Sequence, residues 1–448
     1  MRYSSSILAN SLQFVLFYVF NFIFRLVTGI IIARTIGVEG KGIYSLVLLT
    51  NALALILLNP GLHTAMTYLT SSQKFSPPEL ARFGLMMAGG FSAFGFLVWW
   101  GSRPLLAKSI LNGISPIYLL LALISVPIGL SSLYLSHVLL GRQQILAFNL
   151  VESGRLLGNL GLQVISAFFQ AGLPGVILSW LAANCIGLLL AVWHLRRGLF
   201  QTWQVSGRLA QAAVGYGIRS YPANILAFIN TRLDVFILNA FRGVGQVGLY
   251  SIAAGLAEGL WFFPNASGNS VFARIPQLED QAARQLIAQT CRQNILVMAF
   301  LSVTAFFLGP ALIALFYGPA FAPASEPFFY LLPGILGMGI QRILAANFNG
   351  RGNPQVVTIT AIVSSLVTLV LDFTLIPVMG MSGAALASSG AYLTGAGMLI
   401  IYYLRESQLS WAALLVPTRQ DISELVHFSR ELYDRLIKLF ARDMQRGQ

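Results

Sequence analysis

Three arginines, Arg25, Arg219 and Arg232, and two acids, Asp234 and Glu258, stand inside long apolar runs of this sequence. Charge is expensive there, and such residues face a bundle interior or a watery cavity where they mark the path of an ion or a polar substrate. Arg25 precedes the span end at Ala33 by eight residues, about 12 Å at roughly 1.5 Å per residue, so reaching the surface is strained. It shares an arc of roughly 100° with Asn10, Ser11, Tyr18, Asn21 and Thr28. Tyr216, Arg219, Ser220, Asn230 and Asp234 share another arc, which Pro222 blurs, while Arg232 points elsewhere and could reach the interface. On a straight helix Ser251, Glu258, Asn265 and Asn269 form one narrow stripe. Arginines so placed can hold an anion, asparagines can bind sugar or form a packing seam, and a carboxylate can carry a proton or cation.

These positions belong to a chain that is 56% hydrophobic and 10% charged over 448 residues, far below the roughly 25% charge of a soluble domain. It reads as an all-α polytopic membrane protein. Apolar runs long enough to cross a bilayer, about 20 residues each, fall near 9–33, 43–69, 80–102, 115–140, 144–170, 172–195, 210–238, 245–272, 288–316, 325–347, 355–377 and 380–404. The first run is too long for a signal peptide's apolar region and is expected to be a retained helix. Lys and Arg gather on alternate connections, at Lys74, Arg82, Arg142, Arg196, Arg197, Arg208, Arg274, Arg284, Arg292 and Arg351, which predicts both termini on the cytoplasmic side. The net charge of +13 is scattered over short loops, which argues against nucleic acid as a partner.

The chain repeats itself. ARTIGVEGKGIYS at 33–45 returns as NAFRGVGQVGLYS at 239–251, a polar, glycine-rich loop between two spans in each case. At an offset of 206, Ile31, Gly37, Val38, Gly42, Tyr44, Ser45 and Asn59 meet Ile237, Gly243, Val244, Gly248, Tyr250, Ser251 and Asn265, and Pro127 meets Pro333. At 208, Gly172, Gly175, Leu178, Ala183 and Arg197 meet Gly380, Gly383, Leu386, Ala391 and Arg405. The expected organisation is an N-terminal six-helix lobe at 1–200, a C-terminal six-helix lobe at 201–405 and a basic amphipathic tail at 406–448. Six spans are an even number, so the lobes run parallel about an axis along the membrane normal and enclose a central cavity. Glu258 has Ala52 as its counterpart, and an acid in one half alone suggests ion coupling. Asn59-Pro60 and Pro264-Asn265 predict interrupted helices at corresponding depths.

Other chemistry is thin. Glu152 and Arg155, at i and i+3, are expected to neutralise each other; Arg342 and Asp372 have no partner legible in sequence. No GxxxxGK[ST] loop, nucleophile and base, or metal-ligand cluster stands out among the four histidines and two cysteines, Cys185 and Cys291, so neither cofactor nor catalysis is expected. In the tail, Ile422, Leu425, Val426, Leu432, Leu436, Ile437 and Phe440 recur at helical spacing among Arg430, Arg435, Lys438 and Arg442, which suits the inner-leaflet interface or a cytoplasmic partner.

IARTIGVEGKGIYSL and, at 371–392, LDFTLIPVMGMSGAALASSGAY resemble the entry signature and the eleventh-to-twelfth helix junction of polysaccharide-transport flippases, over roughly residues 5–405. Asp372 stands where that family often has asparagine. The resemblance implies the two-lobed, twelve-helix fold of the multidrug, oligosaccharidyl-lipid and polysaccharide exporters. It implies a polyprenyl-pyrophosphate-linked oligosaccharide as substrate and a bacterial inner membrane as location. On that reading Arg25, Arg219 and Arg232, with Asn21, Asn59, Asn265 and Asn269, meet the substrate, and Glu258 and Asp234 couple an ion. A polysaccharide polymerase or glycosyltransferase is the open candidate for a protein partner. The alternative is a cation-coupled multidrug exporter of the same superfamily, which Glu258, Asp234 and the many phenylalanines would suit.

Overall fold

The computed structural model describes residues 2–108, 111–199 and 205–426, with side chains from Phe20 onward except at 103–108, 198 and 273. Regular structure among the described residues is helical throughout. The first part of the chain forms α1 (Arg2–Leu57), α2 (Leu62–Ser71), α3 (Pro77–Lys108), α4 (Pro116–Gly141), α5 (Ile145–Phe168), α6 (Gly172–Leu199) and α7 (Gly207–Arg242). The remainder forms α8 (Val244–Gly259), α9 (Phe262–Arg274), α10 (Asp280–Tyr317), α11 (Ser325–Gly350), α12 (Pro354–Met379), α13 (Met381–Ser407) and α14 (Trp411–Leu415). Among the described residues nine helices are long and apolar enough to cross a membrane, or ten with α8 and α9 taken as one span bent by 42°. The twelve expected runs are met because α1 carries two of them and α5, with Glu152 and Arg155 inside it, carries another. Leu97, Phe168, Phe307 and Val378 are 70–80% exposed, which lipid tolerates and water does not.

The repeated loops are not loops. The first is a single-residue break at Gly37 (φ 67°), after which the chain re-enters helix at once; the second is the matching break at Gly243 (φ 79°) between α7 and α8. Helix continues through Gly42 and Gly248 because those glycines serve packing, not turning. A Cβ on Gly42 would lie 1.8 Å from the Val244 carbonyl oxygen, and one on Gly248 would lie 2.1 Å from that of Val38. Val38 and Val244 are themselves repeat partners, so the contact is reciprocal, a local twofold in which each copy touches the other. The interrupted helices follow expectation with one refinement. α1 ends before Asn59-Pro60, and Gly61 (φ 72°) lies against Gly217 of α7. In the second half the break falls at Leu260-Trp261, ahead of Pro264, which sits in the first turn of α9 where its missing N–H costs nothing.

Two compact units emerge. The first comprises Met1–Gly255, Pro310–Phe328 and Ser365–Ser388, and so draws on both sequence halves. Its core is built on Leu62, Met66, Phe83, Leu130, Tyr134 and Leu139. Arg34 donates to the Phe316 and Leu315 carbonyls at 2.6 and 2.5 Å, and Arg242 to those of Pro377 and Val378 at 2.6 and 2.8 Å, each cation closing the C-terminal end of a helix. Gln246 accepts from the Met381 N–H at 3.0 Å, tying the second loop copy to the junction of α12 and α13.

The second unit, Leu256–Gly309, Phe329–Ser364 and Ser389–Gln448, is cored by Ile287, Cys291, Leu344, Phe348 and Tyr403. The start of the tail folds onto it. Arg292 of α10 donates to both Asp421 oxygens at 2.7 and 3.0 Å and to the Ala413 carbonyl at 2.6 Å, while Gln293 reaches Glu424 at 3.0 Å. A helix over 419–426 carries Ile422 and Val426 on its exposed side; Leu432, Leu436, Ile437 and Phe440 and their interleaved bases lie outside the described residues. Burial pushes the Asp421 carboxyl up, but the bonds from Arg292 and Thr418 outweigh it and hold the pKa at about 2.

Two outcomes follow from this packing. Gly42→Ala and Gly248→Ala should each cost on the order of 1–3 kcal/mol by overpacking, less than additively together because they share one contact; thermal unfolding of the purified protein measures this, with Gly245→Ala, where no atom lies within 4 Å, as control. Asp421 contributes about 2 kcal/mol from its depressed pKa, complete above about pH 4 and lost as pH falls through about 2. Asp421→Asn should therefore expose Arg419 to trypsin at neutral pH while the rest of the chain stays resistant.

Candidate functional site: a carboxylate ladder between two helices

Along α7 and α12, in the first unit, polar groups pair at successive turns. Ser365 Oγ donates to the Leu226 carbonyl at 3.4 Å, and Thr368 Oγ1 donates to Asn230 Oδ1 at 2.8 Å. One turn further stand Asp234 and Asp372, within electrostatic reach of one another. The spacing 230, 234 on one helix and 368, 372 on the other is i, i+4 in each, which keeps both pairs on facing stripes.

The two acids are treated differently. Asp234 accepts from its neighbour's backbone, Val235 N–H, at 2.8 Å, from Ser388 Oγ of α13 at 3.2 Å and from the Tyr250 hydroxyl of α8. Arg232 adds an electrostatic attraction. Asp372 is wholly buried, and neither of its carboxylate oxygens has a hydrogen-bond partner among the described residues. A buried carboxylate without a partner cannot stay charged beside a second one. Such a pair can be neutralised by a proton or a small cation. Carboxylate, hydroxyl and amide oxygens from Asp234, Asp372, Thr368, Ser388 and Asn230 are hard donors, suited to a proton or an alkali cation rather than to a transition metal. Among the described residues no cluster of three or more His, Cys, Asp or Glu could hold a metal ion.

Tyr250 has a repeat counterpart in Tyr44, and the comparison is informative. Tyr44 is hydrogen-bonded to Asn159 and lies near Arg155, which pairs with Glu152 at 2.9 Å as its spacing suggested. Equivalent tyrosines thus anchor an internally neutral pair in one half and a pair of acids in the other.

The other sequence-derived positions are dispersed. In the first unit Arg25 and Arg219 are exposed, Arg232 is half-buried, and Asn21 is buried with its Oδ1 unpartnered among the described residues. Arg219 shares Asp234's arc but precedes it by 15 residues, roughly 22 Å along the helix, so one arc is not one site. Near it, Tyr216 stacks on Tyr68 at 4.5 Å and Ser220 meets Thr64 at 2.8 Å. Asn59 is buried and engaged by Tyr134 and His63. Glu258, half-buried at the end of α8, and Asn265 and Asn269, exposed on α9, lie in the second unit. The straight stripe drawn through these three does not hold, because the chain bends by 42° between Gly259 and Phe262. Asp372 was the residue without a legible partner; the signal that finds it is the matched i, i+4 spacing of Thr368 and Asp372 with Asn230 and Asp234.

A multi-pass helical bundle made of two sequence-related halves, with acids buried between its helices, is a membrane transporter fold. The inward-facing multidrug resistance MATE family transporter of the MOP superfamily shares it with a TM-score of 0.70 at 13% identity, over 87% of this chain and 94% of that one. The lipid II flippase MurJ in its inward closed conformation does so with 0.71 at 14%, over 95% and 100%. The chain belongs to the polysaccharide biosynthesis protein family, whose model matches residues 31–326. The lipid II flippase MurJ model matches residues 263–423. The probable low-salt glycan biosynthesis flippase Agl15 of Haloferax volcanii is 21% identical over 266 residues, 57% of this chain. That match covers 55% of the relative, so the chain spans about half the length of the curated protein it matches.

The asymmetry between the acids gives an expected outcome. Asp372→Asn, which replaces a carboxyl that no donor faces among the described residues, should leave thermal stability unchanged or raised, whereas Asp234→Ala, which strands Tyr250 and Ser388, should lower it by about 1–3 kcal/mol. Unfolding temperatures of the two purified variants decide this.

Proposed function

We propose that this chain is a flippase that carries a polyprenyl-pyrophosphate-linked oligosaccharide from the inner to the outer leaflet by alternating access, for the assembly of a cell-surface polysaccharide. Family membership over residues 31–326 supports the reading, together with Arg25 and Arg219, two cations exposed on apolar helices. An anionic pyrophosphate needs such cations to replace its water. The two halves rock against one another, the headgroup travels past Arg25 and Arg219, with Asn21 and Arg232 alongside, and the polyprenyl chain stays in lipid. The reaction makes and breaks no covalent bond. An inside-negative potential assists export by about 2.3 kcal/mol per charge per 100 mV for a full crossing.

Asp234 and Asp372 serve as the coupling acids, releasing their proton or cation as the helices that carry them move, and Glu258 is a further candidate. The membrane is the bacterial plasma membrane, with both termini in the cytoplasm, and the tail lies at the inner interface where a polymerase or glycosyltransferase can meet it. A cation-coupled drug exporter is the second reading, favoured by the buried acids and by the likeness to the multidrug transporter fold.

Proteoliposomes decide between the two. With a lipid-linked oligosaccharide pyrophosphate inside the assay and a proton or sodium gradient imposed, the parental protein should translocate the glycan lipid and leave a cationic dye untouched. Arg25→Gln and Arg219→Gln should each slow transport at least about tenfold, the kinetic equivalent of roughly 1.4 kcal/mol, with normal amounts of folded protein. Asp372→Asn should transport without responding to the gradient. Dye efflux without glycan transport would overturn the flippase reading.

A further inference from the structure

Within α2 and α4 of the first unit lies a polar cluster that the transport reading leaves unused. The Tyr134 hydroxyl, fully buried, donates to Asn59 Oδ1 at 3.2 Å, and Asn59 Nδ2 donates to His63 Nδ1 at 2.7 Å. His63 meets His137 edge to face, ring centroids 5.0 Å apart, and His137 Nδ1 lies 2.9 Å from Thr67 Oγ1. Phe148 of α5 flanks His137 at 6.5 Å. The chain has a direction. With the Asn59 amide turned this way Nδ2 donates and His63 Nδ1 accepts, which makes this imidazole neutral with its proton on Nε2.

The cluster brackets the break in the second span. Asn59 and His63 stand on either side of Pro60-Gly61, and Gly61 is pressed against α7, where its Cβ would lie 2.1 Å from the Gly217 carbonyl oxygen. Against the same stretch of α7, Thr64 Oγ1 lies 2.8 Å from Ser220 Oγ.

We propose that His63 and His137 form a proton-binding site in the first half of the chain, and that protonation of His63 reverses the Tyr134, Asn59, His63 hydrogen-bond chain and loosens the Pro60-Gly61 break from α7. A proton added at His63 Nδ1 turns that atom from acceptor to donor. Asn59 must then present Oδ1 to it and turn Nδ2 towards the Tyr134 oxygen, and the tyrosine proton loses its acceptor. His137 keeps its own hydrogen bonding apart from Asn59: its Nδ1 faces the Thr67 hydroxyl, which can turn its hydrogen to the His137 or His63 carbonyl, at 3.3 and 3.4 Å. Two imidazolium rings 5.0 Å apart repel, so the pair holds one proton and titrates as a unit.

On α5, Glu152 interacts electrostatically with His137 but is already paired with Arg155 at 2.9 Å. Of the cations on the neighbouring helices, Arg82 of α3 is buried and Arg219 of α7 is exposed, and a cation opposes a second positive charge. His194 of α6 is engaged with the Leu190 carbonyl of its own helix at 2.8 Å. The pair is separate from Asp234 and Asp372, and its test needs no substrate, so it stands or falls apart from the flippase reading.

Amide hydrogen exchange of the full chain in nanodiscs, corrected for the intrinsic pH dependence of exchange, reads the opening of residues 58–68 between pH 8 and 5.5. Protection there should fall with decreasing pH by up to about tenfold per pH unit, the limit for one proton. Asp372→Asn should keep this dependence and His63→Gln should lose it. Histidine-selective carbon NMR of the parental protein, which requires no variant, should show the two imidazoles sharing a single titration step in the same range. Protection that is independent of pH, a dependence that survives in His63→Gln, or imidazoles that do not titrate between pH 5 and 8 would each overturn the proposal.

Discussion

The first unit is organised around a backbone approach that admits no side chain at Gly42 or Gly248. Each glycine lies under the carbonyl of the other copy's valine, so the two halves of the sequence meet at a point where they are still the same sequence. That explains why the motif was kept twice. A contact made by both copies across a local twofold constrains both at once, and a change in either is felt by its counterpart. Gly37 and Gly243, with positive φ, only turn the chain; Gly42 and Gly248 set how near the helices come. Around this point Arg34 and Arg242 close helix ends, and Gln246 holds the start of α13. These two cations of the repeated stretch are thus bonded to carbonyls and are structural in purpose.

Away from that point the halves have diverged, and the polar interior records it. Tyr44 and Tyr250 occupy equivalent places, yet one leans on an asparagine beside an ion pair and the other on a carboxylate. In lipid every buried polar group must find a partner inside the protein, and most here do: the rungs between α7 and α12, the chain from Tyr134 to His63, the caps on α10 and α12. Asp372 is not alone in lacking a partner among the described residues, since both polar atoms of Asn294 and of Asn347 do too, but it is the carboxylate among them, and a bare carboxyl is the costliest of these to bury charged.

Much of the fold was legible because its signals are long. Twenty-residue apolar runs, a repeat at a nearly constant offset and paired proline breaks need no tertiary information. Sites were less legible because they depend on where two helices face one another. The 100° rule draws Arg219 and Asp234 on one arc, but depth along the axis separates them, and one is exposed while the other is buried. It failed for Glu258, Asn265 and Asn269, since a period holds only while the helix does, and the chain bends at Leu260-Trp261 before the proline that announces it. Asp372 was visible only as half of a pattern whose other half lay on α7. The glycine-rich stretches read as loops because glycine signals turns; Gly37 and Gly243 do turn the chain, whereas Gly42 and Gly248 mark contact.

The bond between Arg292 and Asp421 joins residues 129 positions apart. During synthesis at about 5–20 residues per second, α10 enters the membrane roughly ten seconds before its partner leaves the ribosome. Through that interval the guanidinium must be held by water or by lipid phosphate. The clasp is therefore one of the last contacts of the second unit to close, made after the helices between its two partners have been synthesised.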